Sequence, residues 1–155
     1  MKVQLSDIIE ALEFTNSENA AYVNLKSGEI VILSDSDISA VEDDLSIEDY
    51  PEWQREIISI AKAIILDESK DYIELPDDFE INEYHMMQHF IDSISDNKIA
   101  QTLSISIKGS GAFQRFKEHL FQFGIQEQWF KFKNNEYKKL AIQWCEENKV
   151  DYIED

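Results

Sequence analysis

The sequence is poor in cysteine, proline and glycine, and each scarcity excludes a class of protein. Cys145 is the single cysteine among 155 residues, so no disulfide forms within the chain and we expect a reducing compartment. Two prolines and four glycines leave little material for linkers, and we find no internal repeat or low-complexity segment. We therefore predict one domain that spans residues 1–155.

Long apolar runs and export signals are also lacking. The N-terminal sequence MKVQLSDIIEALEF has no long apolar region of the kind that signal peptides need. The longest apolar run, IISIAKAIIL (57–66), contains Lys62 and is far too short to cross a bilayer. Hydrophobic residues make up 43% of the chain and aromatic residues 12%, which is a globular composition. We expect a soluble, cytoplasmic protein.

Positive charge is scarce and unevenly distributed. The formal net charge is −18, and residues 1–100 contain 24 of the 32 acidic side chains but only 6 of the 14 basic ones. The segment 108–139 reverses this balance, with three acidic residues against seven basic ones, namely Lys108, Arg115, Lys117, Lys131, Lys133, Lys138 and Lys139. Because the overall field repels nucleic acids and anionic membranes, we expect neither as a partner.

Periodicity in the first half of the chain predicts helices and a hairpin. Ser6 is expected to cap a helix that ends near Phe14. The β-rich runs AYVNL and EIVIL flank the turn Ser27-Gly28, which predicts a β-hairpin. The acidic segment 34–50 is expected to be a loop with a short helical turn near 37–42.

A helix and a short strand are predicted next. Pro51 suits the first turn of a helix, and DYIELP predicts a strand that ends at Pro76. The buried face of this helix is predicted from the helical spacing of Trp53, Ile57, Ile60, Ala61, Ile64 and Ile65.

The second half reads as mainly helical. Asn82 can cap one helix, and DNKIAQTLSISIKG fits another, although LSISIK alternates as a strand does and 103–108 stays open between the two. A helix from Gly111 to Phe123 and a longer one over 126–148, interrupted near Asn134-Asn135, are expected. The final VDYIED suggests an edge strand. The fold class is thus predicted as α+β, with a small antiparallel sheet (the N-terminal hairpin plus one or two further strands) covered by five or six helices.

The segment GSGAFQRFKEHLFQFG (109–124) is the best candidate for a functional site. The phosphate-binding spacings G-x-x-x-x-G-K-[ST] and G-x-G-x-x-G are both missed, the second because position 114 is glutamine. The structural interpretation is a helix capped by Ser110, with a core stripe of Phe113, Phe116, Leu120 and Phe123. The functional interpretation is a helix N-terminus that binds an anion or an acidic partner through Gly109, Ser110, Gly111, Arg115 and Lys117.

Other patterns that suggest chemistry are incomplete. His85 and His89 share a helical face and are weak candidates for metal ligands, because Met86 stands where the H-E-x-x-H motif needs glutamate. DSDISAVEDD (35–44) lacks the glycine and the final glutamate of a calcium loop. Cys145 is followed by two glutamates, which disfavours a reactive thiolate. We predict no cofactor and no catalytic residue.

The segment QWFKFKNNEYKKLAIQW (128–144) alternates aromatic residues and lysines. Its aromatic and leucine side chains are expected to face the core. The lysines Lys131, Lys133, Lys138 and Lys139 are then expected outside, as a basic face that meets an acidic surface of this protein or of another. Arg115 is expected either at the surface or in a buried salt bridge to the acidic half of the chain.

Four segments, YIELP, YHMMQHFI, GSGAFQRFKEHL and AIQWCEE, together resemble a bacterial uncharacterised family of small acidic proteins. The resemblance covers most of the chain except 34–50, and it implies one domain but no enzyme class, cofactor or catalytic residue. The positions that carry it are Gly28, Glu29, Tyr72, Pro76, Tyr84, Met87, Phe90, Gly109, Gly111, Ala112, Phe113, Arg115, Phe116, Lys117, Leu120, Trp129, Ala141 and Trp144.

These observations favour a non-catalytic protein that binds a protein partner through its locally basic C-terminal part. Two alternatives stay open at the level of sequence. One is an enzyme with an unrecognised hydrolytic or phosphate-handling site, which requires a pocket that joins Arg115 to a histidine and a carboxylate. The other is an acidic inhibitor or immunity-type partner of a basic protein. The sequence carries no signal for an oligomeric state.

Overall fold

A computed structural model describes residues 1–15, 18–43, 47–66, 70–77 and 81–154. It confirms the α+β class, with helices that dominate a small sheet. The chain divides into two compact units. Unit 1 contains the residues up to Ile81 and the C-terminal segment from Leu140, and unit 2 contains Asn82–Lys139. None of the helices in the described ranges has the length and apolar character needed to cross a membrane.

Unit 1 combines a three-stranded sheet with three helices and a separate strand pair. Its elements in chain order are β1 (Val3–Gln4), α1 (Leu5–Phe14), β2 (Asn19–Asn24), β3 (Ile30–Ser34), α2 (Asp35–Glu42), a 3₁₀ turn (Ile47–Asp49), α3 (Glu52–Ile65), β4 (Tyr72–Glu74) and β5 (Tyr152–Ile153). The described part of unit 2 contributes α4 (Glu83–Asp92), α5 (Asn97–Ser106), α6 (Ala112–Phe123) and most of α7 (Gln126–Glu147). The described residues thus hold seven α-helices, against the five or six expected.

The antiparallel sheet has the order β3-β2-β4, so the hairpin and the third strand predicted from DYIELP are confirmed. Tyr22 lies opposite Val31 on one side and opposite Glu74 on the other. Gly28 makes the hairpin turn with φ +79°, and a Cβ at this position would lie 3.0 Å from the carbonyl oxygen of Lys2. Glycine is therefore required here by both its backbone conformation and a close approach.

The last strand, β5, pairs outside this sheet. It runs parallel to β1, with Val3 opposite Tyr152 and Gln4 opposite Ile153. The sequence predicted an extended segment here, but no local pattern indicated that its neighbour is the first strand of the chain. Val3 and Val150 are both buried, so the first and the last segment of unit 1 each contribute an apolar side chain to its interior.

Two predicted details of unit 1 are wrong. Helix α1 begins at Leu5 with Gln4 at the N-cap and no side-chain cap, so Ser6 lies inside the first turn. Trp53 is 78% exposed, whereas Ile58 and Ala61 are buried. At 100° per residue, Trp53 lies roughly 110° around α3 from the line of Ile58 and Ala61. The rest of the predicted face is correct, because Ala61 is buried and Ile57, Ile64 and Ile65 pack against its cluster, so the error is confined to Trp53.

The acidic segment after β3 is more ordered than expected. Helix α2 starts at Asp35, and Ser34 and Asp37 form a capping box in which the Ser34 hydroxyl accepts from the Asp37 amide and the Asp37 carboxylate accepts from the Ser34 amide. Ala40 and Val41 are buried on its inner face. The predicted turn near 37–42 is therefore a complete helix, while positions 44–46 of the predicted loop lie outside the described residues.

Helix caps explain the boundaries in unit 2. The side chain of Asn82 accepts a hydrogen bond from the amide of His85, as predicted, and Asp96 accepts from the amides of Lys98 and Ile99 to start α5. LSISIK is therefore helical as far as Ser106. Helix α7 is continuous, without the expected interruption at Asn134-Asn135.

Four aromatic rings pack against one another in unit 2. The ring centroids of Phe90 and Phe116 are 6.3 Å apart, and Trp129 lies 5.4 Å from Phe90 and 5.0 Å from Phe116. Phe132 completes the group at 5.4 Å from Phe90. Edge-to-face geometry dominates, which is the arrangement that the ring quadrupoles favour. Helices α4, α6 and α7 are joined by this cluster.

The predicted stripe of α6 is only partly correct. Phe116 and Leu120 are buried, but Phe113 is 37% exposed and Phe123 is half-buried. Helix α6 therefore buries only two of the four predicted side chains. The other rings that pack around Phe116 come from Phe90 on α4 and Trp129 on α7. The other side of α6 is consequently left with exposed aromatic residues.

Candidate functional site

The turn between α5 and α6 contains the residues that the sequence marks as a candidate site. Gly109 and Gly111 have left-handed backbone conformations, with φ +77° and +79°, which glycine adopts without strain. Gly111 is the N-cap of α6 and offers no side chain, so the prediction that Ser110 caps this helix is wrong. The left-handed bend delays the start of the helix by one residue relative to the expected cap.

Arg115 closes this turn with three hydrogen bonds to main-chain carbonyl oxygens. Its Nε donates to Ser106 at 2.8 Å, Nη1 to Ser110 at 2.6 Å and Nη2 to Lys108 at 2.7 Å. The last carbonyls of a helix have no partner within it and carry the negative end of its dipole. The guanidinium therefore acts as a cationic cap on the end of α5.

The hydroxyl of Tyr84 supports the same turn from α4. It donates a hydrogen bond of 3.1 Å to the carbonyl oxygen of Ile107. Consecutive carbonyls after the end of α5 are thus bound by side chains from two other helices. Because unbound carbonyls at a helix end cost free energy when they are shielded from water, these bonds fix the path of the turn.

Gly111 and Arg115 are matched in space. A Cβ on Gly111 would lie 2.9 Å from Nη1 of Arg115, whereas a Cβ on Gly109 would meet no heavy atom within 4 Å. The spacing G-x-G-A-F-x-R therefore has a structural explanation, since the second glycine leaves room for the guanidinium. The sequence predicted either a surface position or a buried salt bridge for Arg115. Neither describes these contacts, because the guanidinium binds main-chain carbonyl oxygens.

Lys117 belongs to an exposed strip along α6. Its Nζ lies 4.8 Å from the ring centroid of Phe113, within the range of a cation–π contact. Phe121 follows four residues later and is 72% exposed. Residues spaced by four share one side of a helix, so Phe113, Lys117 and Phe121 form a continuous strip, which we call the α6 ridge.

The lysines of α7 differ in how strongly they are bound within unit 2. Lys133 Nζ lies 3.3 Å from Oε1 of Glu83 and 5.8 Å from the ring centroid of Tyr137. The Tyr137 hydroxyl donates to the same Glu83 oxygen at 2.6 Å. Side-chain exposures of 26% for Lys133 and 29% for Glu83 show that this cluster is partly shielded from water. Lys133 is therefore a link between α7 and α4 more than a surface charge.

The other α7 lysines are exposed. Lys139 pairs with Glu136 one turn earlier at 3.4 Å, and the lysine side chain is 74% exposed, so this ion pair adds little stability. Lys131 and Lys138 are seven residues apart and both exposed, which places them on one side of the helix. They supply positive charge to the surface of unit 2.

The weak metal candidates are not brought into a complete site. His85 and His89 are both exposed on α4. Within the described ranges, no group of three or more His, Cys, Asp or Glu side chains is arranged to hold a metal ion. In the described part of the chain, His85 and His89 are therefore not joined by a third possible ligand.

A depression of about 450 Å³ in unit 2 contains polar side chains that sequence reasoning did not join. His89 and Asp92 from α4 line it, together with Ser104 and Lys108. The lining does not include Arg115, so the pocket that the enzyme alternative requires is not assembled at this depression. His89 and Ser104 line the same depression because α4 packs against α5, and no sequence spacing signals this proximity.

Cys145 lies in unit 1 and is completely buried. Burial, and secondarily the charge of Glu146, raises the pKa of its thiol to about 11. Both causes disfavour the thiolate, which is the nucleophilic and metal-binding form. The thiol is therefore placed as a packing group, in agreement with the sequence.

We expect the Cys145 thiol to react with a thiol reagent only slowly in the native protein at neutral pH. Denatured chain should react at the rate of an ordinary cysteine, because unfolding restores both exposure and a normal pKa. The measurement is the rate of labelling with and without denaturant. Equal rates in the two conditions would show that the side chain is accessible and contradict its placement.

Comparison with known proteins identifies a protein family. The model of an uncharacterised protein family, UPF0158, matches residues 1–155. No curated protein and no solved structure matches the chain. The family match spans both units and every element of the candidate site, in agreement with the resemblance seen in the sequence. The chain therefore belongs to the uncharacterised protein family UPF0158.

Proposed function

We propose that this protein is a non-catalytic interaction protein that binds an acidic, apolar segment of a partner protein on the α6 ridge. The observation that carries the proposal is the exposure of the ridge, with Phe121 72% exposed and Phe113 37% exposed on either side of Lys117. Large aromatic side chains that remain outside the interior are typical of interaction sites.

Charge supports an acidic partner. The segment 108–139 is basic within a strongly acidic chain, and the surface of α7 adds Lys131, Lys138 and Lys139. Complementary charge accelerates encounter and selects among partners, while the apolar contacts supply affinity. The ridge offers both kinds of contact within two helical turns.

Arg115 has a different part in this proposal. Because its guanidinium binds three carbonyl oxygens, it holds the turn that starts α6 and thereby positions the ridge. Gly109, Ser110 and Gly111 form the same turn. The enzyme alternative has weaker support, since the depression that contains His89 and Asp92 is not lined by Arg115.

The test uses a labelled peptide of alternating glutamate and leucine, with the lysine–leucine peptide of equal length for comparison. We expect the acidic peptide to bind and to shift the amide resonances of α6. Lys117→Glu should weaken this binding by about tenfold or more, and high ionic strength should weaken it as well. Affinity is measured by fluorescence anisotropy and the site by NMR.

Lys26→Glu is the matched control. It makes the same charge change in unit 1, on a lysine whose side chain is 78% exposed. Its affinity for the acidic peptide should remain close to that of the unmodified chain. If Lys117→Glu binds as well as Lys26→Glu, or if the α6 resonances do not move, the ridge is not the binding site.

A further inference from the structure

Strand β3 is an edge of the unit 1 sheet. The strand order β3-β2-β4 places β2 on one side of it, and no strand of the described residues lies on the other. An edge strand presents unpaired main-chain groups to any extended chain that approaches it. Its sequence, IVILS, contains no proline and no charge, which are the usual protections of such an edge.

The ladder between β2 and β3 shows which groups are directed outward. The amide of Asn24 donates to the carbonyl of Glu29 at 2.8 Å, so this pair is a hydrogen-bonded one. Hydrogen-bonded and non-hydrogen-bonded pairs alternate along an antiparallel ladder. The N–H and C=O groups of Ile30 and Ile32 therefore point away from β2, toward the open edge.

A groove lies on each side of this edge, and the two differ in chemistry. The first, of about 640 Å³, has Ile30, Ile32 and Phe14 in its lining and carboxylates from Asp7, Glu10 and Glu29. The second, of about 320 Å³, is also lined by Ile30 and Ile32, together with Val31 and with residues of α3, namely Trp53, Glu56, Ile57 and Ile60. One groove is thus rich in carboxylates and the other is mainly apolar.

Trp53 makes the second groove unusual. Its side chain is 78% exposed although it stands next to half-buried isoleucines of the same unit. Tryptophan is enriched where proteins bind one another, because it offers a large apolar surface with few rotatable bonds. Here it lies beside an open strand edge, where an added strand would cover it.

We propose that β3 accepts an extended segment of a partner protein as an additional strand, and that this segment alternates basic and apolar residues. Successive side chains of a strand point to opposite faces. Basic side chains would enter the groove with Asp7, Glu10 and Glu29, and apolar ones would cover Trp53. Main-chain bonds to Ile30 and Ile32 would supply the remaining affinity.

Charge favours this occupant over a second copy of the chain. Of the charged residues that line the two grooves, Lys2 is the basic one, against Asp7, Glu10, Glu29 and Glu56. Pairing of two β3 edges would bring these carboxylates toward those of the other copy, in molecules that each carry a net charge of −18. A partner with positive charge removes that repulsion.

The test uses a labelled peptide of alternating lysine and valine, together with the same peptide N-methylated at every peptide nitrogen, so that neither of its edges can donate hydrogen bonds to a strand. We expect the first peptide to bind, and to slow hydrogen exchange at the amides of Ile30 and Ile32. The N-methylated peptide should bind at least about tenfold more weakly. A glutamate–valine peptide should not slow hydrogen exchange at these two amides.

Two variants locate the site on the protein. Ile32→Lys, which places a positive charge at the edge, and Trp53→Ala should each weaken binding of the lysine–valine peptide by about fivefold or more. Ile105→Lys is the matched control, because Ile105 is 60% exposed in unit 2, and it should leave binding unchanged. Trp53→Ala keeps the test decisive if Ile32→Lys fails to fold, since its side chain is exposed.

Three results would overturn the proposal. Equal binding of the N-methylated peptide would show that strand pairing is not used. Protection of amides outside β3 would place the peptide elsewhere. Dimerisation of the free protein that Ile32→Lys abolishes, as seen by sedimentation, would make a second copy the occupant. The test of the α6 ridge uses a peptide of opposite charge and variants in the other unit, so either proposal can fail without the other.

Discussion

Phe116→Ala is expected to lower the free energy of unfolding by about 3–5 kcal/mol, the range typical of a buried phenylalanine reduced to alanine. Phe116 is completely buried, and its ring contacts those of Phe90 and Trp129. The substitution removes apolar contact area and two edge-to-face ring pairs, and it leaves a cavity between α4, α6 and α7. Denaturant unfolding followed by circular dichroism measures the loss.

Phe121→Ala is the matched control on the same helix. Phe121 is 72% exposed, so its truncation should change the free energy of unfolding by no more than about 0.5 kcal/mol. A comparable loss in the two variants would mean that α6 does not bury the side that the structure assigns to the interior. Phe121→Ala is also expected to lower the affinity for the acidic peptide. Phe116 and Phe121 would then separate the effect on stability from the effect on binding within one helix.

Arg115→Ala is the second large effect, with an expected loss of about 2–3 kcal/mol in the free energy of unfolding. Three hydrogen bonds from a charged group to main-chain carbonyls disappear, and the end of α5 loses its cationic cap. We place the loss below the sum of three charged hydrogen bonds because two of them are exposed to solvent. Thermal and denaturant unfolding both report it.

Arg115→Lys provides the sharper comparison. A lysine keeps the charge but cannot direct three donors from a planar group toward three oxygens, so most of the loss should persist. If Arg115→Lys is as stable as the unmodified chain, the positive charge alone matters and the fork geometry does not. Lys117→Ala, two residues away and exposed, should be close to neutral.

The glycines allow an independent check of the same contact. Gly109→Ala and Gly111→Ala both force a residue with a Cβ into a left-handed conformation, which costs about 1–2 kcal/mol. Gly111→Ala should cost more, because its Cβ would lie 2.9 Å from Nη1 of Arg115. The difference should disappear in the Arg115→Ala background, and its persistence there would contradict the proposed fit.

The two proposed binding surfaces have a similar composition. Each consists of large apolar side chains left exposed beside charged residues of one sign, around Lys117 in unit 2 and around the carboxylates near β3 in unit 1. Neither needs catalytic chemistry. The two proposals therefore expect partners of opposite charge, and each is tested with its own peptide in a separate sample.

Local signals predicted the elements well where the sequence itself contains the stabilising groups. Asn82 caps α4 and the turn at Gly28 makes the hairpin, whereas 103–108 was left open by the sequence and is helical only as far as Ser106. Caps failed where the helix begins without a side-chain cap, as at Gln4 and Gly111. Serine is a common N-cap residue, but Ser6 lies two residues after the N-cap of α1 and Ser110 lies one residue before the N-cap of α6.

The candidate site was predicted as a segment but not as a set of contacts. The sequence identified 109–117 as unusual because glycines precede an arginine and a lysine. It did not show that Arg115 binds the end of α5, since Ser106, Lys108 and Ser110 contribute only main-chain oxygens, which every residue has. It also assigned Trp53 to the interior, because spacing gives a helical face but not the position of the sheet that covers it.

The sequence by itself determined the α+β class, the order of most elements and the acidic character of the chain, because periodicity, caps and charge are properties of neighbouring residues. Only the tertiary structure decided which side of α3 and α6 remains exposed, which strand is the open edge, and that the first strand pairs with the last. Each of these depends on contacts between residues far apart in the chain, whose free energy no local pattern encodes. Side chains left outside by that packing are the ones on which binding is proposed.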